Sequence, residues 1–229
     1  MKPTLIHMII RAARLPLLVV AVSVTAAIAS GCAAPAAIMY KFMGPPPIPP
    51  KYVVPQTPLL LLVENAYSGA VAIPESDELA SVIYGDLHDH KVAPLIELAR
   101  LHELRDASPQ AFSKMTIAQI GHALGAAQVL YLHVDQLDIE VPQGSEMVRV
   151  KVSVKAKIID VASALTVWPV SGDTEPYDNE TRLQRADATI TRSSLNHQML
   201  RDSGLEISRW FYAYQPETMH EENQDVKLR

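Results

Sequence analysis

Cysteine is almost absent from this chain of 229 residues, which contains one, Cys32. A lone thiol cannot form an intramolecular disulfide, so a fold stapled by disulfides is excluded. Long apolar runs are missing as well, because the run over residues 15–28 is shorter than the roughly 20 residues usual for a membrane-spanning helix. With 48% hydrophobic residues, the chain instead has the composition of a globular domain with an appendage.

Acidic residues are missing from residues 1–31, which hold Lys2, Arg11 and Arg14. Without this segment Lys plus Arg falls from 20 to 17 while Asp plus Glu stays at 25, so the net charge changes from −5 to −8. Nucleic acid and anionic lipid both favour a basic surface. The acidic remainder of the chain therefore argues against binding either of them by charge.

The first 31 residues have the layout of a targeting segment. A basic region up to Arg14 precedes the apolar run, and small residues at 29–31 stand just before Cys32. This ending resembles the lipobox of a bacterial lipoprotein precursor, whose cysteine is acylated and becomes the first residue of the mature protein. The resemblance implies palmitate on Cys32 and, because Ala33 rather than aspartate follows, an outer-membrane protein facing the periplasm. The alternative is an ordinary secretory signal with an incidental cysteine.

Prolines crowd residues 44–58, which predicts a stiff spacer. Polyproline II rises about 3.1 Å per residue, so this stretch would hold a domain roughly 40 Å from its anchor. We predict a signal peptide at 1–31, a Pro-rich linker at 32–57, an α/β domain at 58–215 and a disordered, charged tail at 216–229. Within the linker, residues 52–54 are expected to dock on the domain edge.

Hydrophobic periodicity predicts the elements of the domain. The apolar run at 59–63 is short enough for a strand buried on both faces, and helical spacing is found at 76–88, 95–104 and 193–215. Another helix begins at Thr116, which forms a capping box with Gln119, and ends at Gly125.

The clearest alternation lies at 147–160, where valine, alanine and isoleucine alternate with mostly basic residues. This pattern predicts an antiparallel strand with one buried and one wet face. The preceding strand, 128–134, continues at 137–141 one residue out of step, which predicts a bulge near Asp135 and Gln136. A strand at 165–168 completes a meander. Residues 171–192 are predicted to be a loop with a short extended piece at 188–190.

The order of these elements resembles a group of envelope lipoproteins related to the curli-secretion lipoprotein, the penicillin-binding-protein activator lipoproteins and the N-terminal domain of the Tol translocation protein. The likeness lies in residues 117–130, 154–168 and the terminal Trp210-Phe211-Tyr212. It implies one α/β domain, a mixed and largely antiparallel sheet covered by helices, that acts by binding or assembly without catalysis or a cofactor. An oligomeric secretion or pore component is an alternative.

The densest set of metal-ligating residues is His88-Asp89-His90, with Asp86 nearby. Helical positions two apart do not share a face, so a solvated helix end is favoured over a zinc site and a metal-dependent hydrolase. His122 and His133 have no neighbours in sequence that would form a triad. We therefore predict no catalytic, metal or cofactor residues.

Four basic residues on the wet face of the long strand form the candidate interaction surface: Arg149, Lys151, Lys155 and Lys157. The alternative is a solvated face whose charges pair with acids on the preceding strand, such as Asp138 and Glu140. The predicted partners are the membrane, through acylated Cys32, and another envelope protein or a second copy, but not nucleic acid.

Overall fold

A computed structural model describes residues 45–65, 74–140, 147–184 and 192–216. The predicted signal peptide, Cys32, the first part of the linker and the tail from residue 217 onward lie outside the described residues. The extended piece predicted at 188–190 also lies outside them.

Five strands form one mixed sheet in the described part of the chain. They are β1 (Leu59–Asn65), β2 (Gln128–Glu140), β3 (Met147–Asp160), β4 (Thr166–Trp168) and β5 (Glu175–Gln184). β1 pairs with β2 in parallel, whereas β2 with β3, β3 with β4 and β3 with β5 are antiparallel. The predicted α/β class and the meander of β2, β3 and β4 are confirmed.

Two groups of helices cover the sheet. The described helices are α1 (Pro74–Asp89), α2 (Leu98–Ala107), α3 (Pro109–Phe112), α4 (Ile117–Leu124) and α5 (Arg192–Ser208), followed by a 3-10 turn at Arg209–Phe211. α1 and α5 pack over one face, which we call the inner face, and bury its leucine, valine and isoleucine side chains. On the opposite, outer face, α2, α3 and α4 cover β1 and the start of β2. The short α3 was not predicted.

The second helix begins three residues later than the periodicity predicts. Leu95 forms a parallel bridge with Leu59, and the Ile96 N–H donates to the Leu59 carbonyl at 2.9 Å. Residues 95 and 96 therefore lie beside β1, where the Ile96 N–H has an acceptor that it would lack in the first turn of a helix.

The predicted capping box of α4 is present. The Gln119 N–H donates to Thr116 Oγ1 at 3.2 Å, and the Thr116 N–H donates to Gln119 Oε1 at 2.8 Å. Gly125 ends the helix with φ 77°, a left-handed conformation that glycine adopts without steric cost. Gly121 allows close packing, since a Cβ there would lie 2.7 Å from methyl groups of Val129 and Val161.

A bulge interrupts the pairing of β2 with β3 where it was predicted. Val134 pairs with Val154, and the next pair is Gln136 with Ser153, so Asp135 is the extra residue. The insertion returns Leu137, which pairs with Val152, to the inner face.

The predicted loop at 171–192 is wrong, because residues 175–184 form β5. This strand pairs with β3 through ten consecutive residues, from Glu175 opposite Ala156 to Gln184 opposite Met147. Its sequence is polar, and Tyr177 is its one large apolar side chain known to be buried. The sequence therefore lacks the apolar alternation that marks a strand.

The last residues of the predicted linker pack on the domain. The N–H groups of Lys51 and Tyr52 both donate to the Trp210 carbonyl, at 2.7 and 3.2 Å. The Lys51 ammonium lies 4.0 Å from the centroid of the Trp210 ring, and Val54 is buried. Residues 51–58 therefore do not add to the reach of a spacer.

Candidate interaction surface

The outer face of β2, β3 and β5 is polar. Arg149, Lys155 and Glu180 are exposed on it, and Tyr131 and His133 are half-buried. On the same strands the inner face is sealed, because Leu132, Val154 and their neighbours lie beneath α1 and α5. The alternation predicted from the sequence thus separates a core face from a solvated one.

The four basic residues predicted as a surface all lie on β3 and point to this outer face. Acidic residues of both neighbouring strands accompany them. Lys155 Nζ lies 2.9 Å from Asp135 Oδ2 on β2, and Arg149 Nε lies 3.3 Å from Glu180 Oε1 on β5. Lys151 stands opposite Glu180 in the register. The surface therefore carries basic and acidic side chains next to one another and is not a basic patch.

Lys157 belongs to a different contact. Its ammonium lies 5.3 Å from the centroid of the Tyr131 ring on β2, within the range of a cation–π interaction. The ring in turn stacks beside His133 at 6.3 Å between centroids. The positive charge of Lys157 is thus held over the Tyr131 ring on the outer face.

Tyr131 also connects β2 to β1 through its hydroxyl. The hydroxyl donates to Glu64 Oε2 on β1 at 2.8 Å and lies 3.3 Å from His133 Nδ1. Burial, and next the charge of Glu64, raise the pKa of Tyr131 well above its usual value. The phenol therefore stays protonated and keeps donating to the carboxylate.

His133 completes a polar network that the sequence reasoning missed. Its Nε2 lies 3.6 Å from Asp135 Oδ1, and parallel pairing places it beside Glu64. No local signal brings residues 64 and 133 together, because their contact depends on the parallel register of β1 and β2.

Of the two histidines at the end of α1, His90 takes part in a structural contact. Asp86 accepts hydrogen bonds from the hydroxyls of Ser208 and, at 2.6 Å, Tyr212. His90 stacks on the Tyr212 ring with 3.7 Å between centroids, and His88 is exposed. Burial, followed by the hydrogen bond to Asp86, raises the pKa of Tyr212 to about 12. This cluster joins the C-terminal segment to α1.

The described residues contain no group of three or more His, Cys, Asp or Glu side chains placed to hold a metal ion. None of their helices has the length and apolar character needed to cross a bilayer. His122 is exposed on α4, apart from the network of His133.

No protein-family model matches the sequence, and no curated protein matches it. Solved structures do. Lipoprotein GNA1162 from Neisseria meningitidis is 13% identical, with 66% of this chain and 98% of that chain covered and a TM-score of 0.42. A minor lipoprotein from Acinetobacter baumannii is 12% identical, with 68% and 92% covered and a TM-score of 0.38.

A third similar structure is the PelC dodecamer from Paraburkholderia phytofirmans, at 12% identity, 72% and 93% coverage and a TM-score of 0.38. Bacterial lipoproteins are thus among the solved structures to which this chain is similar, as the sequence resemblance predicts.

Proposed function

We propose that this chain is a lipid-anchored protein of the bacterial cell envelope, which binds another envelope protein through the outer face of β2, β3 and β5. Acylated Cys32 holds it at the outer membrane, facing the periplasm. It acts by binding and not by catalysis.

The outer face carries this proposal. α1 and α5 bury the inner face, whereas exposed charged groups of both signs occupy the outer face of the same strands. Protein–protein interfaces have polar rims in which complementary charges set orientation and association rate. The Tyr131 network adjoins this face near the start of β2, where it ties β1 to β2 by a hydrogen bond of 2.8 Å.

The anchor is supported by the sequence. Each buried methylene of an acyl chain contributes about 0.8 kcal/mol, so several chains on Cys32 would hold the protein firmly on a membrane. Labelling cells with radioactive palmitate should mark the wild-type chain and leave Cys32→Ala unlabelled. Equal labelling of the two would contradict the anchor.

Binding through the outer face is tested by photo-cross-linking in intact cells. A photoreactive amino acid at position 151, on the outer face, should give a discrete adduct with another envelope protein. The same amino acid at Lys114, which is exposed beyond α3, is the matched control and should not give that adduct. Lys155→Glu should weaken the adduct at position 151. An adduct from position 114 alone would place the binding surface elsewhere.

A further inference from the structure

We propose that this chain also pairs with a second copy of itself along β5, in an antiparallel arrangement whose two-fold axis passes between the two copies of Thr181. The second copy is a further partner, in addition to the envelope protein of the proposed function. The contact uses the edge of the sheet, not the outer face, and requires no acylation of Cys32.

The position of β5 in the sheet is the first argument. β5 has ten residues and, in the described part of the chain, pairs with a single strand, β3. A sheet edge of this length is a template on which another strand can add. The opposite edge differs, because residues 95 and 96 already pair with the start of β1.

Symmetry limits the registers that two copies can adopt. Antiparallel edges related by a two-fold axis perpendicular to the sheet keep inner residues on the inner face. The axis must therefore lie between the two copies of the same residue, a position named below by that residue. Each axis position then fixes which outer-face residues stand opposite each other. On β5 these are Pro176, Asp178, Glu180, Arg182 and Gln184.

Charge selects one of these positions. An axis at Thr181 places Glu180 opposite Arg182 of the second copy, twice by symmetry, and Asp178 opposite Gln184. An axis at Asn179 would set Asp178 against Glu180. An axis at Glu180 would also place Asp178 opposite Arg182, but it would set Glu180 against its own copy, and an axis at Arg182 would set Arg182 against its own copy. Opposite charges across strands stabilise pairing and like charges destabilise it.

The remaining features of β5 agree with this register. Proline cannot donate to a new strand, and Pro176 lies outside the stretch 178–184 that would pair. The docked linker contacts β5 at Glu175, where the carboxylate lies 2.6 Å from Lys51 Nζ. The end of β5 that would pair is therefore the end away from this contact.

Cysteine cross-linking tests the register directly. Thr181→Cys in the full chain should give a dimer after mild oxidation, because residues facing each other across the axis have Cα atoms about 5 Å apart, within disulfide range. Asp178→Cys is the matched control, since its two copies would lie roughly 20 Å apart. The parent chain shows whether Cys32 alone cross-links.

The expected result is a disulfide dimer for Thr181→Cys and none for Asp178→Cys or the parent chain. Absence of a dimer at position 181, or equal dimers at both positions, would overturn the proposal. Palmitate labelling of the same samples reports the anchor separately, so failure of pairing and failure of the proposed function remain distinguishable.

A change of charge at Arg182 tests the same register without introducing a cysteine. Arg182→Glu sets acid against acid twice across the axis and should raise the dimer dissociation constant about tenfold. Arg182→Gln removes the attraction without repulsion and should have a smaller effect. Thermal melts of both variants check the fold. An unchanged dissociation constant for Arg182→Glu would contradict the register.

Discussion

On the inner side of β2, Leu130, Leu132 and Val134 are at most 3% exposed, whereas Tyr131 and His133, which alternate with them, lie half-buried on the outer side. The inner residues contact apolar groups of two helices, and the outer residues contact other polar side chains. Neighbouring positions of β2 thus have different roles. The inner side chains stabilise the domain by packing, and the outer side chains form part of a polar surface.

The largest expected effect comes from the inner face. Leu132→Ala should lower the free energy of unfolding by about 2–5 kcal/mol, because it leaves a cavity beneath α1 and α5 where the side chain is 0% exposed. Urea denaturation followed by circular dichroism measures the loss. His133→Ala, one residue away, is the control and should cost much less. Similar losses of unfolding free energy for both variants would contradict the expectation that the inner face contributes more to stability than the outer face.

Helix packing on the outer side gives the next effect. Gly121→Ala should destabilise the domain by about 1–2 kcal/mol, because its Cβ would lie 2.7 Å from two valine methyl groups. Gly85→Ala is the matched control, since a Cβ there meets nothing within 4 Å and the higher helix propensity of alanine should stabilise α1. Thermal melts should therefore move in opposite directions for the two variants.

Alkaline pH should destabilise the domain, in part through Tyr177 on the inner face. Burial, the largest cause, raises the pKa of Tyr177 to about 12, from 10 in the unfolded chain. The unfolded chain loses this proton first, so stability that is complete below pH 10 is lost as the pH rises towards 12. Urea melts at pH 8 and pH 11 should show this fall. Tyr177→Phe should reduce the difference between the two pH values, and an unchanged difference would exclude this tyrosine as a cause.

The smallest change in stability is expected from the ion pairs of the outer face. Lys155→Ala should change the free energy of unfolding by about 1 kcal/mol or less, because the Lys155 side chain is 51% exposed and pairs with Asp135 in solvent. Urea denaturation checks the value. A large loss would mean that these charges hold the fold together rather than present a surface.

Local signals made much of the fold predictable. Thr116, Gln119 and Gly125 mark the ends of α4 by themselves, and the apolar residues of β3 alternate without interruption. The bulge at Asp135 was predictable because the apolar pattern of β2 resumes one residue out of step. Each of these signals needs only residues that are close in the sequence.

Contacts between distant residues were not predictable in the same way. β5 is polar and becomes a strand because β3 offers it an edge, and Glu64 reaches Tyr131 through the parallel pairing of β1 with β2. Docking of Lys51 on Trp210 joins residues near opposite ends of the domain. The basic residues of the candidate interaction surface were predicted on β3. The acidic residues beside them on β5 were not predicted, because β5 itself was not predicted.

The docked linker determines how the domain would carry a mechanical load. A pull on the chain from its N-terminal side reaches Lys51 and Tyr52 before it reaches β1. Their two N–H groups share the carbonyl of Trp210, so the tension passes first to the C-terminal segment and, through Tyr212 and Asp86, to α1. Lys51 also contacts Glu175 of β5, so such a pull reaches the sheet at β5 before it reaches β1.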